Sequence, residues 1–79
     1  MVDERYWLAH SDGFRVDGPA GRLGTVMRVI DGDQSLVIRT GMLGNRTLLA
    51  RYDQVERLEP WREWLSLAEV PTPAGIAAT

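Results

Sequence analysis

The sequence predicts an all-β domain: a small antiparallel β-barrel of five to six short strands with a frayed C-terminal tail. Short runs of aliphatic, β-branched and aromatic residues follow one another closely, and turns rich in glycine, aspartate and proline separate them. No confident helix lies between these runs, whereas a parallel sheet would need one. Closing the sheet into a barrel lets a chain of 79 residues enclose one apolar core without exposed edges.

The N-terminal half contains three predicted strands. Residues 6–10 are aromatic and aliphatic, and residues 14–16 alternate apolar and polar side chains. Residues 17–21 carry the glycines and proline of a hairpin turn. Residues 23–30 form the longest β-favouring run. Both of its faces are partly apolar and it contains Gly24, which predicts a bent strand that is covered on two sides.

The C-terminal half continues the same pattern. Residues 31–34 predict a second turn, and strands are predicted over residues 35–40, 46–52 and 55–59. Residues 61–70 fit both a helical face and an alternating strand, and we favour the strand.

These elements form one domain over residues 1–70. Residues 71–79 are small and interrupted by proline, which predicts a disordered tail. The predicted core consists of Val16, Leu23, Val26, Val29, Leu36, Ile38, Leu48 and Val55.

Composition excludes several classes of function. The absence of cysteine excludes disulfides, thiolate-bound zinc and a cysteine nucleophile. All nine basic residues are arginine, so a phosphate-loop lysine and a Schiff-base lysine are absent too. A net charge of -2 provides no overall basic field for nucleic acid or anionic lipid. The charged first residues and the lack of any long apolar run predict a cytoplasmic protein with no membrane segment.

No motif predicts catalysis, a metal site or a cofactor. His10 is the single histidine, and any metal would need further ligands from carboxylates alone. Ser11 and Asp12 follow it directly, whereas the members of a hydrolase triad come from separated loops. Asp31 and Asp33 lack the closing glutamate of a calcium loop and read as turn residues. We therefore expect a protein that is not an enzyme, with no small-molecule substrate.

The first candidate contact region lies in the middle of the chain. Residues 34–52 carry three arginines and no acidic residue, and two flanking glycines place two apolar side chains at the tip of residues 41–45. Guanidinium groups fork onto carboxylates or phosphates while the tip supplies apolar contact. The alternative is that the tip folds back onto the barrel and the arginines pair with glutamates. The residues concerned are Arg39, Met42, Leu43, Arg46 and Arg51.

Three tryptophans form the second candidate region. Trp7, Trp61 and Trp64 are many for a chain of this length and lie near its two ends. They either pack the termini onto the barrel or form a surface for self-association.

Residues 13–26 resemble the opening of PRC-barrel domains: a glycine two residues before a valine, then an acidic turn and a second glycine-containing strand. Residues 36–38, 48–50 and 53–55 continue the resemblance, which covers residues 13–59. The resemblance implies a small β-barrel like the cytoplasmic domain of a photosynthetic reaction-centre subunit and the C-terminal domain of a ribosome maturation factor. It also implies a docking surface with no catalytic residues.

The sequence thus favours a non-enzymatic protein–protein interaction module that forms a homodimer. The alternative is a ribosome- or RNA-associated accessory factor that binds through the central arginines. A ligand-binding barrel is less favoured, because so small a barrel is filled by its own side chains.

Overall fold

The computed structural model describes residues 4–41 and 46–73 and contains one short helix and one seven-stranded sheet. The helix and strands are α1 (Glu4–Ala9), β1 (Arg15–Gly18), β2 (Gly21–Ile30), β3 (Ser35–Thr40), β4 (Arg46–Arg51), β5 (Val55–Glu59), β6 (Trp64–Leu67) and β7 (Thr72–Pro73). Single 3₁₀ turns at Asp31–Asp33, Tyr52–Gln54 and Pro60–Arg62 connect strands. The prediction of a mostly β fold is confirmed, and β3 and β5 have the predicted bounds.

The sheet is open, so the predicted closed barrel is wrong. Its strand order is β5-β6-β1-β2-β3-β4-β7, with β5 and β7 at the two edges. The prediction that all strands are antiparallel is also wrong, because β6 runs parallel to β1. β1 pairs with β2 along one edge. Its other edge pairs with β6, which forms a hairpin with β5.

The predicted strand over residues 6–10 is instead the helix α1. Its contact with the fold is narrow: Leu8 is buried, and the buried Ser11 hydroxyl donates to the Leu8 carbonyl oxygen at 2.7 Å. Tyr6 and His10, one helical turn apart, stack with their ring centroids 4.4 Å apart. A strand would place neighbouring side chains on opposite faces, whereas this segment contacts β2, buries Leu8 and leaves Tyr6 and Trp7 partly exposed.

β2 is the strand that joins the two halves of the sheet. Its first part pairs with β1 and its remainder pairs with β3, with register shifts in both ladders. Gly24 lies where the two ladders meet, and a Cβ atom there would lie 1.9 Å from the carbonyl oxygen of Arg39. Only glycine permits this close backbone approach, which explains why a glycine lies inside the strand.

One core lies on the inner face of the curved sheet. Its buried residues come from α1, the loop that follows it, β1, β2, β3, β4, the Tyr52–Gln54 turn and β6. They are Leu8, Phe14, Val16, Val26, Leu36, Ile38, Ala50, Tyr52, Leu65 and Leu67. All eight predicted core residues belong to this core: four are buried, and Leu23, Val29, Leu48 and Val55 pack against it.

Regular structure continues past the predicted domain end at residue 70. Pro71 is buried, and Thr72–Pro73 pair with β4 opposite Leu49 and Leu48. The first residues of the predicted tail thus cover an otherwise free strand edge. The remaining tail, residues 74–79, lies outside the described residues.

Candidate functional site

The outer face of the sheet is the surface on which the functional candidates meet. In β3, Leu36 and Ile38 point into the core, so Ser35, Val37 and Arg39 point outward by strand alternation. The strand register then assigns the neighbouring strands to the same two faces.

A continuous row of residues crosses the outer face over five strands. From β6 to β4 its members are Trp64, Arg15, Thr25, Arg39 and Thr47, each a register partner of the next. Neighbouring strands lie about 4.8 Å apart, so Arg15 and Arg39 flank Thr25 at roughly 10 Å from each other. This row ties together side chains that are far apart in the sequence.

At the β6–β1–β2 end of the row, a cleft of about 330 Å³ opens between Arg15, Arg22 and Arg62. We call it the arginine cleft; Thr25, Glu63 and Trp64 also line it. All three arginines are exposed. Within the described residues, Arg15 and Arg22 have no acidic group within 4 Å, whereas Arg62 Nη1 lies 2.8 Å from Glu59 Oε1. The cleft is thus lined by three arginines and one carboxylate, Glu63, while Glu59 pairs with Arg62 and Asp17 is the register partner of Arg22.

Trp64 fixes one wall of the arginine cleft. Its indole Nε1 donates to Asp17 Oδ2 at 2.9 Å, which connects β6 to β1. The guanidinium carbon of Arg62 lies 5.4 Å from the centroid of its ring, within the range of a cation–π contact. Arg62 is therefore held by an aromatic ring on one side and by Glu59 on the other.

Beyond Thr25 the outer face carries more apolar side chains. Met27 lies at the register shift of β2, and the exposed Arg28 next to it is the register partner of Val37. We call the surface formed by Met27, Val37 and Leu49 on β2, β3 and β4 the apolar half, and Arg28 adjoins it. Met27 and Leu49 are 41% and 38% exposed, whereas Val37 on the strand between them is 7% exposed. A second cleft, of about 400 Å³, separates it from the arginine cleft and is lined by Thr25, Met27 and Arg39. Arg39 Nη2 donates to Met27 Sδ at 3.4 Å.

The structure does not bring the three predicted central arginines into one patch. Arg39 lies on the outer face, and Arg46, opposite Thr40, lies on the inner side at the start of β4. Arg51 lies at the far end of β4, about 16 Å further along the strand, and its Nη2 is 3.2 Å from Asp53 Oδ2. The predicted tip residues Met42 and Leu43 lie outside the described residues.

The tryptophans take three separate roles. Trp7 is 36% exposed on α1 and packs edge-on against Tyr6. Trp61 is 78% exposed in the Pro60–Arg62 turn, and Trp64 is half-buried in the cleft wall. No ring contact joins the three tryptophans within the described ranges.

Sequence reasoning missed Arg15, Arg22 and Arg62, which line the arginine cleft. They lie in segments whose net charge is negative, so the charge distribution along the chain drew attention to residues 34–52 instead. Only the parallel pairing of β1 with β6 brings Arg62 to the other two. The alternation of apolar and polar side chains over residues 14–16 agrees with the exposed position of Arg15 between the buried Phe14 and Val16.

The remaining polar candidates have structural contacts. His10 Nδ1 donates to the Tyr6 carbonyl oxygen at 2.8 Å, and Asp31 Oδ1 accepts from the Tyr52 hydroxyl at 2.7 Å. Burial and the bond to Asp31 raise the pKa of Tyr52 to about 12. Across residues 4–41 and 46–73, no group of three or more histidine or acidic side chains is placed to hold a metal ion. In the same ranges, no helix has the length and apolar character needed to cross a membrane.

Comparison of the chain with protein-family models, curated proteins and solved structures gives no match.

Proposed function

We propose that this protein is a non-enzymatic docking module that binds other proteins, with a second copy of the chain as its first partner. The observation that carries the proposal is the apolar half. Met27 and Leu49 expose roughly two-fifths of their surface on β2 and β4, the two strands that flank β3. Large aliphatic side chains grouped on one surface are typical of contact sites between proteins.

The size of the chain favours a second copy as the partner. A domain of this length buries only about 60% of the surface that its unfolded chain exposes, so small domains gain stability from oligomerisation. Each 100 Å² of apolar surface covered by a partner contributes about 2.5 kcal/mol. A twofold contact uses the same surface on both copies, and the central position of Val37 in the apolar half suits such an arrangement.

The resemblance of residues 13–59 to PRC-barrel domains supports the same function, because those domains work as docking surfaces. We retain the family assignment as part of the proposal. The alternative of an RNA-associated factor loses support, since Arg39, Arg46 and Arg51 lie on two faces and at two ends of β4.

Sedimentation equilibrium over a wide concentration range tests the proposal. We expect wild-type protein to dimerise, and we expect Leu49→Asp to raise the dimer dissociation constant by about tenfold or more, because a buried unpaired charge is costly. Trp61→Ser is the matched control: it removes the most exposed large apolar side chain and lies outside the apolar half. It should leave the dissociation constant unchanged.

Met27→Gln provides a second, milder test on β2 in case Leu49→Asp fails to fold. A wild-type chain that stays monomeric at every concentration would contradict self-association. A dimer that is disrupted by Trp61→Ser and unaffected by Leu49→Asp and Met27→Gln would move the interface to the Pro60–Arg62 turn.

A further inference from the structure

The arginine cleft presents guanidinium groups that the proposed self-association does not use. Arg15, Arg22 and Arg62 come from β1, β2 and the Pro60–Arg62 turn and open onto the same space. Arg62 is paired with Glu59, whereas among the described residues no carboxylate lies within 4 Å of the Arg15 or Arg22 guanidinium group. An anion that enters the cleft therefore meets two exposed cations with no ion-pair partner.

We propose that the arginine cleft binds the carboxylate side chains of an acidic segment of a partner protein. This inference rests on the proposed docking function and adds the chemistry of a second partner. It concerns the opposite end of the outer face from the apolar half.

The spacing of the arginines suits an extended acidic segment. Arg22 is the register partner of Asp17, which lies two residues after Arg15 on β1, so the Cα atoms of Arg15 and Arg22 are roughly 8 Å apart. Alternate side chains of an extended peptide project from the same side about 7 Å apart. Flexible arginine side chains readily span the difference, so glutamates two residues apart reach Arg15 and Arg22 together.

Guanidinium chemistry favours carboxylates at this site. Arginine presents two parallel N–H donors to a carboxylate, and such charged, paired hydrogen bonds are among the strongest in proteins. Arg62 is already oriented by the Trp64 ring and by Glu59, so less conformational freedom is lost when it contributes a third donor.

The observations favour an acidic protein over a nucleic acid. The chain carries a net charge of -2, whereas nucleic-acid binding draws on a broad excess of positive charge. Binding of single strands also uses open aromatic faces for base stacking. In the cleft, Arg62 lies over the Trp64 ring.

Fluorescence anisotropy with a labelled decapeptide of alternating glutamate and alanine tests the proposal. We expect saturable binding at low salt that weakens as salt is added, and no binding of the matched glutamine–alanine decapeptide. The double variant Arg15→Gln with Arg22→Gln should weaken binding by at least about tenfold, because it removes charged hydrogen bonds.

The matched control is Arg46→Gln with Arg51→Gln. It removes the same charge from two exposed arginines that do not line the cleft or contact Glu59, and should change the affinity less than twofold. Circular dichroism confirms that both variants are folded. Should the Arg15 and Arg22 variant not fold, Arg62→Gln provides the same test from the Pro60–Arg62 turn.

A further variant reports on the location of binding. Trp7→Phe with Trp61→Phe leaves Trp64 as the only tryptophan, and we expect its fluorescence to change when the peptide binds.

Three results would overturn the proposal: no binding of the acidic decapeptide, equal losses in the cleft and control variants, or tighter binding of an oligouridylate by the same arginines. The last result would assign the cleft to nucleic acid. Sedimentation separates this inference from self-association, because Leu49→Asp should abolish dimers and leave peptide binding intact, whereas the cleft variant should do the reverse.

Discussion

The two ends of the outer face differ in how their side chains meet solvent. In the apolar half, the exposed side chains of Met27 and Leu49 lie near Val37 and present apolar surface to a partner. In the arginine cleft, charged groups from three elements surround an open space. Thr25 lies at the boundary and lines the spaces on both sides.

One small sheet therefore presents two kinds of contact surface, one apolar and one charged. Binding by the apolar half depends on buried area and responds little to salt. Binding by the arginine cleft depends on charge and weakens as salt rises. The same β2 strand supports both surfaces, which makes their separability testable.

The largest expected effect on stability comes from Gly24, where the β1–β2 and β2–β3 ladders meet. Gly24→Ala places a methyl group where the Arg39 carbonyl oxygen now lies, at 1.9 Å, and backbone atoms on both sides would have to move. We expect a loss of about 3 kcal/mol or more in the free energy of unfolding, measured by urea denaturation. Gly32→Ala, where a Cβ atom has open space, is the control. A loss below about 1 kcal/mol would show that the two ladders are able to separate at Gly24.

A smaller effect on stability is expected from the hydrogen bond between Trp64 and Asp17 at the wall of the arginine cleft. Trp64→Phe removes the indole donor to Asp17 Oδ2, and Asp17 Oδ1 already lacks a hydrogen-bond partner among the described residues. The carboxylate would then have no partner there, which we expect to cost about 1–3 kcal/mol in thermal or urea unfolding. Peptide binding should fall with it, whereas dimerisation through the apolar half should persist. Trp61→Phe, on an exposed ring, controls for the loss of an indole.

A hydrogen bond from the Tyr52 hydroxyl to Asp31 joins the turn that follows β4 to the turn that follows β2. Tyr52→Phe removes the hydrogen bond to Asp31 and should cost about 1 kcal/mol near neutral pH. The pKa of Tyr52 is raised from 10.0 to about 12 in the folded chain. The unfolded chain therefore loses this proton first as pH rises, and the stabilisation is present below pH 10 and lost between pH 10 and about 12.

Urea denaturation from pH 8 to 12 measures this effect. The free-energy difference between wild type and Tyr52→Phe should narrow above pH 10. A difference that stays constant to pH 12 would show that Tyr52 ionises alike in the folded and unfolded chains.

The local sequence pattern was enough to predict strand bounds where side-chain alternation and turn residues agree. Ser35–Thr40 and Val55–Glu59 were predicted with their observed bounds, because alternation and turn residues define each strand within a few positions. It failed at Glu4–Ala9, where six residues carry too little periodicity to separate a helix from a strand. There the burial of Leu8 selected the helix.

The candidate contact residues show the same division. The run of arginines from residue 34 to 52 is close in sequence, yet strand alternation separates Arg39 from Arg46 and strand length separates Arg46 from Arg51. Arg15 and Arg62 are 47 positions apart and meet because β1 and β6 pair. Proximity in a sheet follows register, which a run of charge does not reveal.

Composition and residue alternation alone indicated a mostly β domain without cysteine or lysine chemistry and assigned its aliphatic residues to the inner face. Strand pairing in three dimensions set the open sheet, the parallel alignment of β6 with β1 and the cleft that three arginines share. Side-chain alternation acts between neighbours in the chain, whereas strand pairing depends on which free edge a distant hairpin reaches while it covers the core.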